Sequence, residues 1–189
     1  MADAGRVIAG SARGIRLEAP GAGTRPFGDR VKQTLFAILE PDLPGARVLD
    51  LFAGSGAAGI EALSRGAGHA TFVERDAAAI RVIVANLART HLADRATPVS
   101  AEALAWLGRS DASAGGPFGL VVVDPPYAQP DLLIAVLEAL APHLASDARV
   151  VAKHSRRDPL PAQVGLLASE RERQFGETAL MFYRRQEDR

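Results

Sequence analysis

The chain has 189 residues, 48% of them hydrophobic, and its 22 basic and 22 acidic side chains give a formal net charge of +0. That length suits one domain with at most a small appendage, and the absence of cysteine excludes a disulfide framework and a Cys-type zinc site. No apolar run reaches the length of a membrane span, and residues 1–6 lack the basic-then-apolar build of a signal peptide, so the expected setting is the cytoplasm.

Residues 6–10 and 14–18 are short alternating segments around Ser11-Ala12-Arg13, which predicts a hairpin. Pro20, Gly21, Gly23 and Pro26 then interrupt regular structure. Residues 1–32 carry six basic side chains (Arg6, Arg13, Arg16, Arg25, Arg30, Lys32) against three acidic ones, a local excess of +3 on a neutral protein. Such an excess suits phosphate contact, although a solvated hairpin face would look the same. Residues 29–39 predict an amphipathic helix with Val31, Leu35, Ile38 and Leu39 on one face, stopped by Pro41 and Pro44.

Residues 48–52 form a mostly apolar run long enough for one buried parallel strand. The small-residue loop Ala53-Gly54-Ser55-Gly56 follows, and residues 57–65 read as a helix. Strand, glycine turn and helix make a nucleotide cradle, because glycine lets backbone approach a ligand and the helix start offers unpaired N–H groups. Residues 54–59 match GxGxxG and Glu74 lies 20 residues beyond Gly54, as in a dinucleotide fingerprint. A tight turn in any α/β domain would match equally. Asp50 separates the readings, since a carboxylate facing the crevice repels a diphosphate and attracts an ammonium or sulfonium. Either effect is roughly 4 kcal/mol at about 4 Å and an effective dielectric near 20, before solvation. Asp50 therefore favours S-adenosylmethionine over NAD.

Residues 70–74 predict a second strand closed by Glu74, where a carboxylate grips ribose hydroxyls, unless it pairs with Arg75 or another arginine. A helix over 76–90 and a strand over 97–100 follow. Glu102 then either accepts from an adenine amino group or favours the first turn of the helix carrying Ala105, Trp106 and Leu107. Residues 111–117 read as a loop. Residues 120–123 are the most strongly apolar, β-branched run and predict a central strand, ending in Asp124-Pro125-Pro126-Tyr127. Pro130 starts a helix expected to reach about residue 144. A strand over 148–152 leads into Lys153-His154-Ser155-Arg156-Arg157, and strand-like runs lie at 164–167 and 178–183. The alternation predicts an α/β fold with a mostly parallel sheet finished by an antiparallel pair.

Asp-Pro-Pro-Tyr carries the second chemistry. The prolines fix the backbone and leave carbonyls without competing local donors, so Asp124 and the Pro125 carbonyl can converge on an exocyclic amine. Tyr127 can stack on a base. A helix-capping role for Asp124 is the plainer alternative, but Pro125, Pro126 and Tyr127 separate it from the helix at Pro130.

With Asp50-Leu51-Phe52-Ala53-Gly54-Ser55-Gly56, Asp124-Pro125-Pro126-Tyr127, the leading segment 25–36 and the closing segment 175–180, residues 6–185 resemble the bacterial 16S rRNA (guanine-N2)-methyltransferase family. The resemblance implies a Rossmann-like class I methyltransferase with a seven-stranded, mostly parallel sheet and an antiparallel last strand pair. Residues 1–27 would be an RNA-contacting N-terminal β-hairpin, and 28–189 the methyltransferase domain. It implies a monomer acting on 16S ribosomal RNA within the small subunit or its assembly intermediate, with S-adenosylmethionine as cofactor and no metal. Its catalytic residues would be Asp124, Pro125, Pro126 and Tyr127. Its cofactor contacts would be Arg25, Asp50, Phe52, Ala53, Gly54, Ser55, Gly56, Glu74, Arg75, Glu102 and Ala103. Its RNA contacts would be Arg6, Arg13, Arg16, Arg30, Lys32, Lys153, Arg156 and Arg157. The sequence departs from the family where Phe27-Gly28 replaces a threonine and a small polar residue, where Gln33 replaces a glutamate, and where Lys153-His154 replaces a glutamate-containing pair. The last change makes the crevice more basic.

Other readings stay open. Adenine N6 in DNA or RNA suits the same amine clamp, although no DNA target-recognition domain is visible and such DNA enzymes more often carry Asn at the first motif position. A small-molecule N-methyltransferase would have no purpose for the basic hairpin. A non-catalytic RNA assembly factor would not need Asp50, Glu74 and the proline motif together.

Overall fold

The structure is a computed structural model that describes residues 2–21, 28–109, 116–126 and 129–187. A hairpin of β1 (Ala2–Arg6) and β2 (Arg16–Ala19) precedes α1 (Asp29–Leu39). Then come β3 (Arg47–Leu51), α2 (Ala57–Ser64), β4 (His69–Glu74), α3 (Ala77–Thr90), β5 (Ala96–Ser100), α4 (Ala103–Leu107) and β6 (Phe118–Val123). The remainder is α5 (Pro130–Ala139), β7 (Leu144–Ser155), β8 (Gln163–Val164), β9 (Leu167–Phe175) and β10 (Thr178–Arg185).

Among the described residues the main sheet has eight strands in the order β5-β4-β3-β6-β7-β10-β9-β8. β3 to β7 pair in parallel, and β10 runs antiparallel between β7 and β9. This is the expected Rossmann-like architecture with one addition, the two-residue β8 at the edge. From β3 the chain moves outward to β4 and β5, then returns to place β6 on the other side of β3. Ligands bind at such a switch point, beyond the carboxyl ends of the strands.

Strand alternation divides the core between two faces. Val48, Leu120, Val122, Val151 and Phe182 pack with α1, α2, α3 and the hairpin. Leu49, Val121, Val123, Val150 and Tyr183 pack with α4 and α5. Asp50 shares the face of Val48 and so points towards α2.

Four expected elements differ. The hairpin strands lie nearer its ends, with Asp3 opposite Glu18 and Arg6 opposite Arg16. Residues 7–15 are instead held by α2: Ile8 and Ala9 N–H donate to the Glu61 carboxylate, Ser11 N–H to the Ser64 carbonyl, and Ala12 N–H to Ser64 Oγ. α5 ends at Ala139 and a 3-10 turn over Ala141–His143 precedes β7, because Pro142 supplies no N–H for a longer helix. β9 has too polar a sequence to announce a strand. It is held by backbone pairing to β10, and its charged side chains discourage further pairing at this side of the sheet. Finally, the buried stripe of α1 is Lys32, Leu35, Phe36 and Leu39, with Val31 and Ile38 only half-buried.

The hairpin shares the core of the main sheet. Ala4, Val7, Leu17 and Ala19 belong to one buried cluster with Leu35, Phe36 and Leu63. Asn86, wholly buried on α3, exchanges two hydrogen bonds with the Glu18 backbone and donates a third to the Ser55 carbonyl.

The docking of the 7–15 segment on α2 yields a stability prediction. Gly10 and Gly14 both have positive φ, +86° and +85°, but a Cβ at Gly10 would lie 1.8 Å from the Ser64 carbonyl oxygen, whereas one at Gly14 meets nothing within 4 Å. Gly14→Ala should cost about 1–2 kcal/mol for its backbone conformation, and Gly10→Ala about 1–3 kcal/mol more for the overlap. Urea unfolding of the pair measures the difference. Equal losses would show that the segment yields rather than being clamped.

Candidate functional site

The carboxyl ends of β3, β4, β6 and β7 open into a cavity of about 610 Å³. The loop after β3 forms its floor and is fixed from three directions. Gly54 N–H donates to Glu74 Oε2 at 2.9 Å, Ala53 N–H to the Val73 carbonyl at 3.1 Å, and Asn86 Nδ2 to the Ser55 carbonyl at 2.9 Å. Phe52 turns the chain with φ +63°, a conformation uncommon for an aromatic residue and often found at ligand sites. Glu74 is held by both oxygens, since its Oε1 accepts from Asp76 N–H at 2.9 Å.

Asp50 is 2% exposed and its Oδ2 accepts from Gly59 N–H at 2.9 Å. α2 approaches so closely because residue 59 has no side chain: a Cβ there would lie 2.3 Å from the Phe72 ring. Burial pushes the Asp50 carboxyl up to about 8, opposed by the Gly59 hydrogen bond and reinforced by the negative charges of Asp124 and Glu74. Asp124 follows β6, the strand beside β3, and its N–H reaches the Leu51 carbonyl at 3.4 Å. Burial raises its carboxyl too, and the Lys153 ammonium draws it back down through charge and a hydrogen bond. Lys153 Nζ lies 2.8 Å from Oδ1 and 3.0 Å from Oδ2 of Asp124.

Of the residues expected at a cofactor, Asp50, Phe52, Ala53, Gly54, Ser55, Glu74, Arg75, Glu102 and Ala103 line this cavity, as do Asp124, Pro125, Pro126 and Lys153. Gly56 lies beneath the lining as the left-handed residue that starts α2. Glu102 caps α4 by accepting from Ala105 N–H at 2.9 Å, so the helix-entry role is realised at the cavity wall. Arg25 and Tyr127 lie outside the described residues. Ala4 and Ala19 of the hairpin, Ala57, Ala58, Asp76 and Leu132 also line the cavity and carried no chemical signal in the sequence.

The expected RNA contacts divide. Arg6, Arg13, Arg16, Arg30, Arg156 and Arg157 are exposed. Arg6 and Arg16 make ion pairs with Asp29 and Asp3, and Arg157 with Glu177, all well hydrated. Lys32 is a correction. It is fully buried, donates from Nζ to the Arg6 carbonyl and faces Glu61, so it secures the hairpin rather than meeting RNA. Burial lowers its proton affinity while Glu61 and Asp29 raise it. Its position was legible in the 32, 35, 36, 39 spacing of α1. Lys153 is also redirected, into the cavity against Asp124. Among the described residues no cluster of side chains could hold a metal ion, and no helix is long and apolar enough to cross a membrane.

The profile of a family described as Conserved hypothetical protein 95 matches residues 5–184. The chain is 39% identical over 183 residues to the putative rRNA methyltransferase YlbH of Bacillus subtilis, covering 95% of this chain and 98% of that protein. It is 38% identical over 184 residues to the ribosomal RNA small subunit methyltransferase D of Escherichia coli K12, covering 96% and 90%. The solved structure of the putative methyltransferase yhhF from Escherichia coli superposes with a TM-score of 0.82 at 37% identity, covering 97% of this chain and 98% of that one.

The state of Asp50 makes a pH prediction. Unfolding returns its carboxyl from about 8 to the ordinary 3.8, so between these values the folded protein holds a proton that the unfolded chain lacks. The contribution of this group is therefore greatest below the window and falls as pH rises through it, by up to about 1.4 kcal/mol per pH unit. Asp50→Asn keeps an oxygen for Gly59 and removes the titration. Its unfolding free energy relative to wild type should rise steadily from pH 5 to pH 8 in urea melts. A constant difference would mean that Asp50 is ionised in the folded protein.

Proposed function

The chain belongs to the conserved hypothetical protein 95 family, and from that premise we propose that it is an rRNA methyltransferase. Its substrate in this reading is the exocyclic N2 of a guanine in 16S ribosomal RNA of the small subunit or its assembly intermediate, and its methyl donor is S-adenosylmethionine. The protein acts in the cytoplasm as a monomer. Residues 1–27 are its RNA-contacting extension, and 28–189 its catalytic domain.

The observation that carries the reading is the pair of carboxylates, Asp50 and Asp124, set on adjacent strands at one cavity. The cavity suits a cationic ligand better than a phosphate. A dinucleotide's phosphates bind N–H groups at the glycine loop and helix start, and here two of these, Gly54 N–H and Gly59 N–H, are given to the carboxyl groups of Glu74 and Asp50. Glu74 attracts an ammonium or sulfonium instead, and a cation bound beside Asp50 draws its carboxyl back down into the charged form. Bound there, S-adenosylmethionine supplies a methyl group already activated by its sulfonium.

The chain's own part is placement. Guanine N2 is a weak nucleophile because its lone pair is delocalised into the ring. Hydrogen bonds from the amine to Asp124 and to the Pro125 carbonyl favour the pyramidal nitrogen needed for in-line attack. Orientation of this kind can supply up to roughly 7–11 kcal/mol. The amine becomes acidic only as the new bond forms, so Asp124 serves first as an acceptor and then holds the proton as it leaves. Tyr127, next after the two prolines, stacks on the unstacked base, a contact of roughly 1–3 kcal/mol.

Single-turnover transfer of labelled methyl to small-subunit particles, free rRNA and duplex DNA tests this. Particles or rRNA should be labelled and DNA should not. Asp124→Ala should abolish transfer while cofactor affinity, read by calorimetry, is largely kept. Near-normal transfer by that variant would refute the amine clamp, and labelling of DNA alone would favour an adenine target.

The exposed arginines give a second expectation. Replacing Arg6, Arg13 and Arg16 together by Ala should weaken RNA binding and flatten the log–log salt dependence by about 0.7–0.9 for each phosphate no longer neutralised. Cofactor affinity should hold. An unchanged slope would make the hairpin an ordinary solvated surface.

A further inference from the structure

One cation holds both oxygens of Asp124. β7 pairs with β6 in parallel, Val123 opposite Ala152, so the next residues along the ladder, Asp124 and Lys153, emerge side by side at the cavity. The Lys153 side chain is 11% exposed and that of Asp124 17%. With Nζ at 2.8 and 3.0 Å from the two oxygens, the ammonium straddles the carboxylate. The rest of the lining does not favour a charge there: Asp50 at the end of β3, Glu74 at the end of β4, Asp76 and Glu102 are all acidic, and among the described residues Arg75 is the other basic one.

We propose that Lys153 is a positioning residue for methyl transfer, keeping Asp124 charged and turning the carboxylate so that its remaining lone pairs face the incoming amine. The proposal rests on Asp124 as the acceptor of that amine. A carboxylate offers about four lone-pair sites, and an ammonium bridging the two oxygens occupies one side of them. The outer sites stay available to a substrate donor. Protonated, Asp124 would turn an O–H towards an N–H, donor against donor, and the amine would lose its orientation. Burial favours that inactive form and the Lys153 ammonium opposes it.

Lys153→Met removes the charge at nearly the same length, and Lys153→Arg keeps it. Two measurements are made on each full-length protein. The first is the carboxyl-carbon NMR titration of Asp124 in aspartate-labelled protein, assigned with Asp124→Asn. The second is the pH profile of single-turnover methylation of small-subunit particles. In Lys153→Met the Asp124 midpoint and the acid limb of the profile should rise together by roughly 1–3 pH units, while Lys153→Arg stays close to wild type. Activity on the alkaline plateau should fall in Lys153→Met with the lost orientation and be largely restored in Lys153→Arg, while an unchanged urea midpoint for both variants separates this from a folding defect. An unmoved Asp124 midpoint in Lys153→Met would overturn the proposal, as would a shifted midpoint with an unmoved acid limb. A wild-type protein that methylates neither particles nor free rRNA would instead refute the rRNA reading, and the NMR midpoint would still decide whether Lys153 holds Asp124 charged.

Discussion

Placing two carboxylates out of water on neighbouring parallel strands is costly unless each finds a partner, and much of the local architecture follows from how Asp50 and Asp124 find theirs. Asp50 receives the Gly59 N–H, which requires α2 to lie against β4 at a distance that only glycine at position 59 permits. Asp124 receives Lys153, which requires β7 to sit in parallel register beside β6. Both carboxylates remain acceptors held in a polar, preorganised wall, which is the condition under which electrostatics favours a cationic ligand or a developing positive charge.

The hairpin belongs to the same construction. Glu61 and Ser64 on α2 collect backbone donors from residues 8–12, Lys32 on α1 holds the Arg6 carbonyl, and Asn86 on α3 joins the Glu18 backbone to the glycine loop. These are buried polar contacts, each destabilising if its partner is removed, and together they specify one docking of the hairpin. Ala4 and Ala19 thereby become part of the cavity wall. The segment carrying the exposed arginines and the floor of the cavity are thus fixed to one another through α2 and α3.

What the sequence disclosed was local. A strand of five residues, a glycine loop and a helix are neighbours in the chain, so Asp50, Gly54 and Glu74 could be placed from spacing alone, and the two prolines after β6 marked Asp124 without any knowledge of packing. What it concealed depends on distant partners. Lys32 read as one of a set of basic RNA contacts; the 32, 35, 36, 39 spacing puts it on the buried stripe of α1, but nothing nearby in the chain shows that the hairpin is what covers it. Lys153 read as an RNA contact, because its carboxylate comes from a different strand. β9 has few apolar residues, since its order comes from the β10 backbone. Ala4 and Ala19 have no functional groups, and only the tertiary fold makes them part of a binding surface.

The central claim is that the amine received by Asp124 is N2 of guanine. The direct test is chemical identity: digest small-subunit RNA after reaction with the purified protein and labelled S-adenosylmethionine, and separate the nucleosides by chromatography and mass spectrometry. The account predicts that the label is recovered in N2-methylguanosine. Label in N6-methyladenosine, in a methylated ring carbon or in the ribose would contradict it.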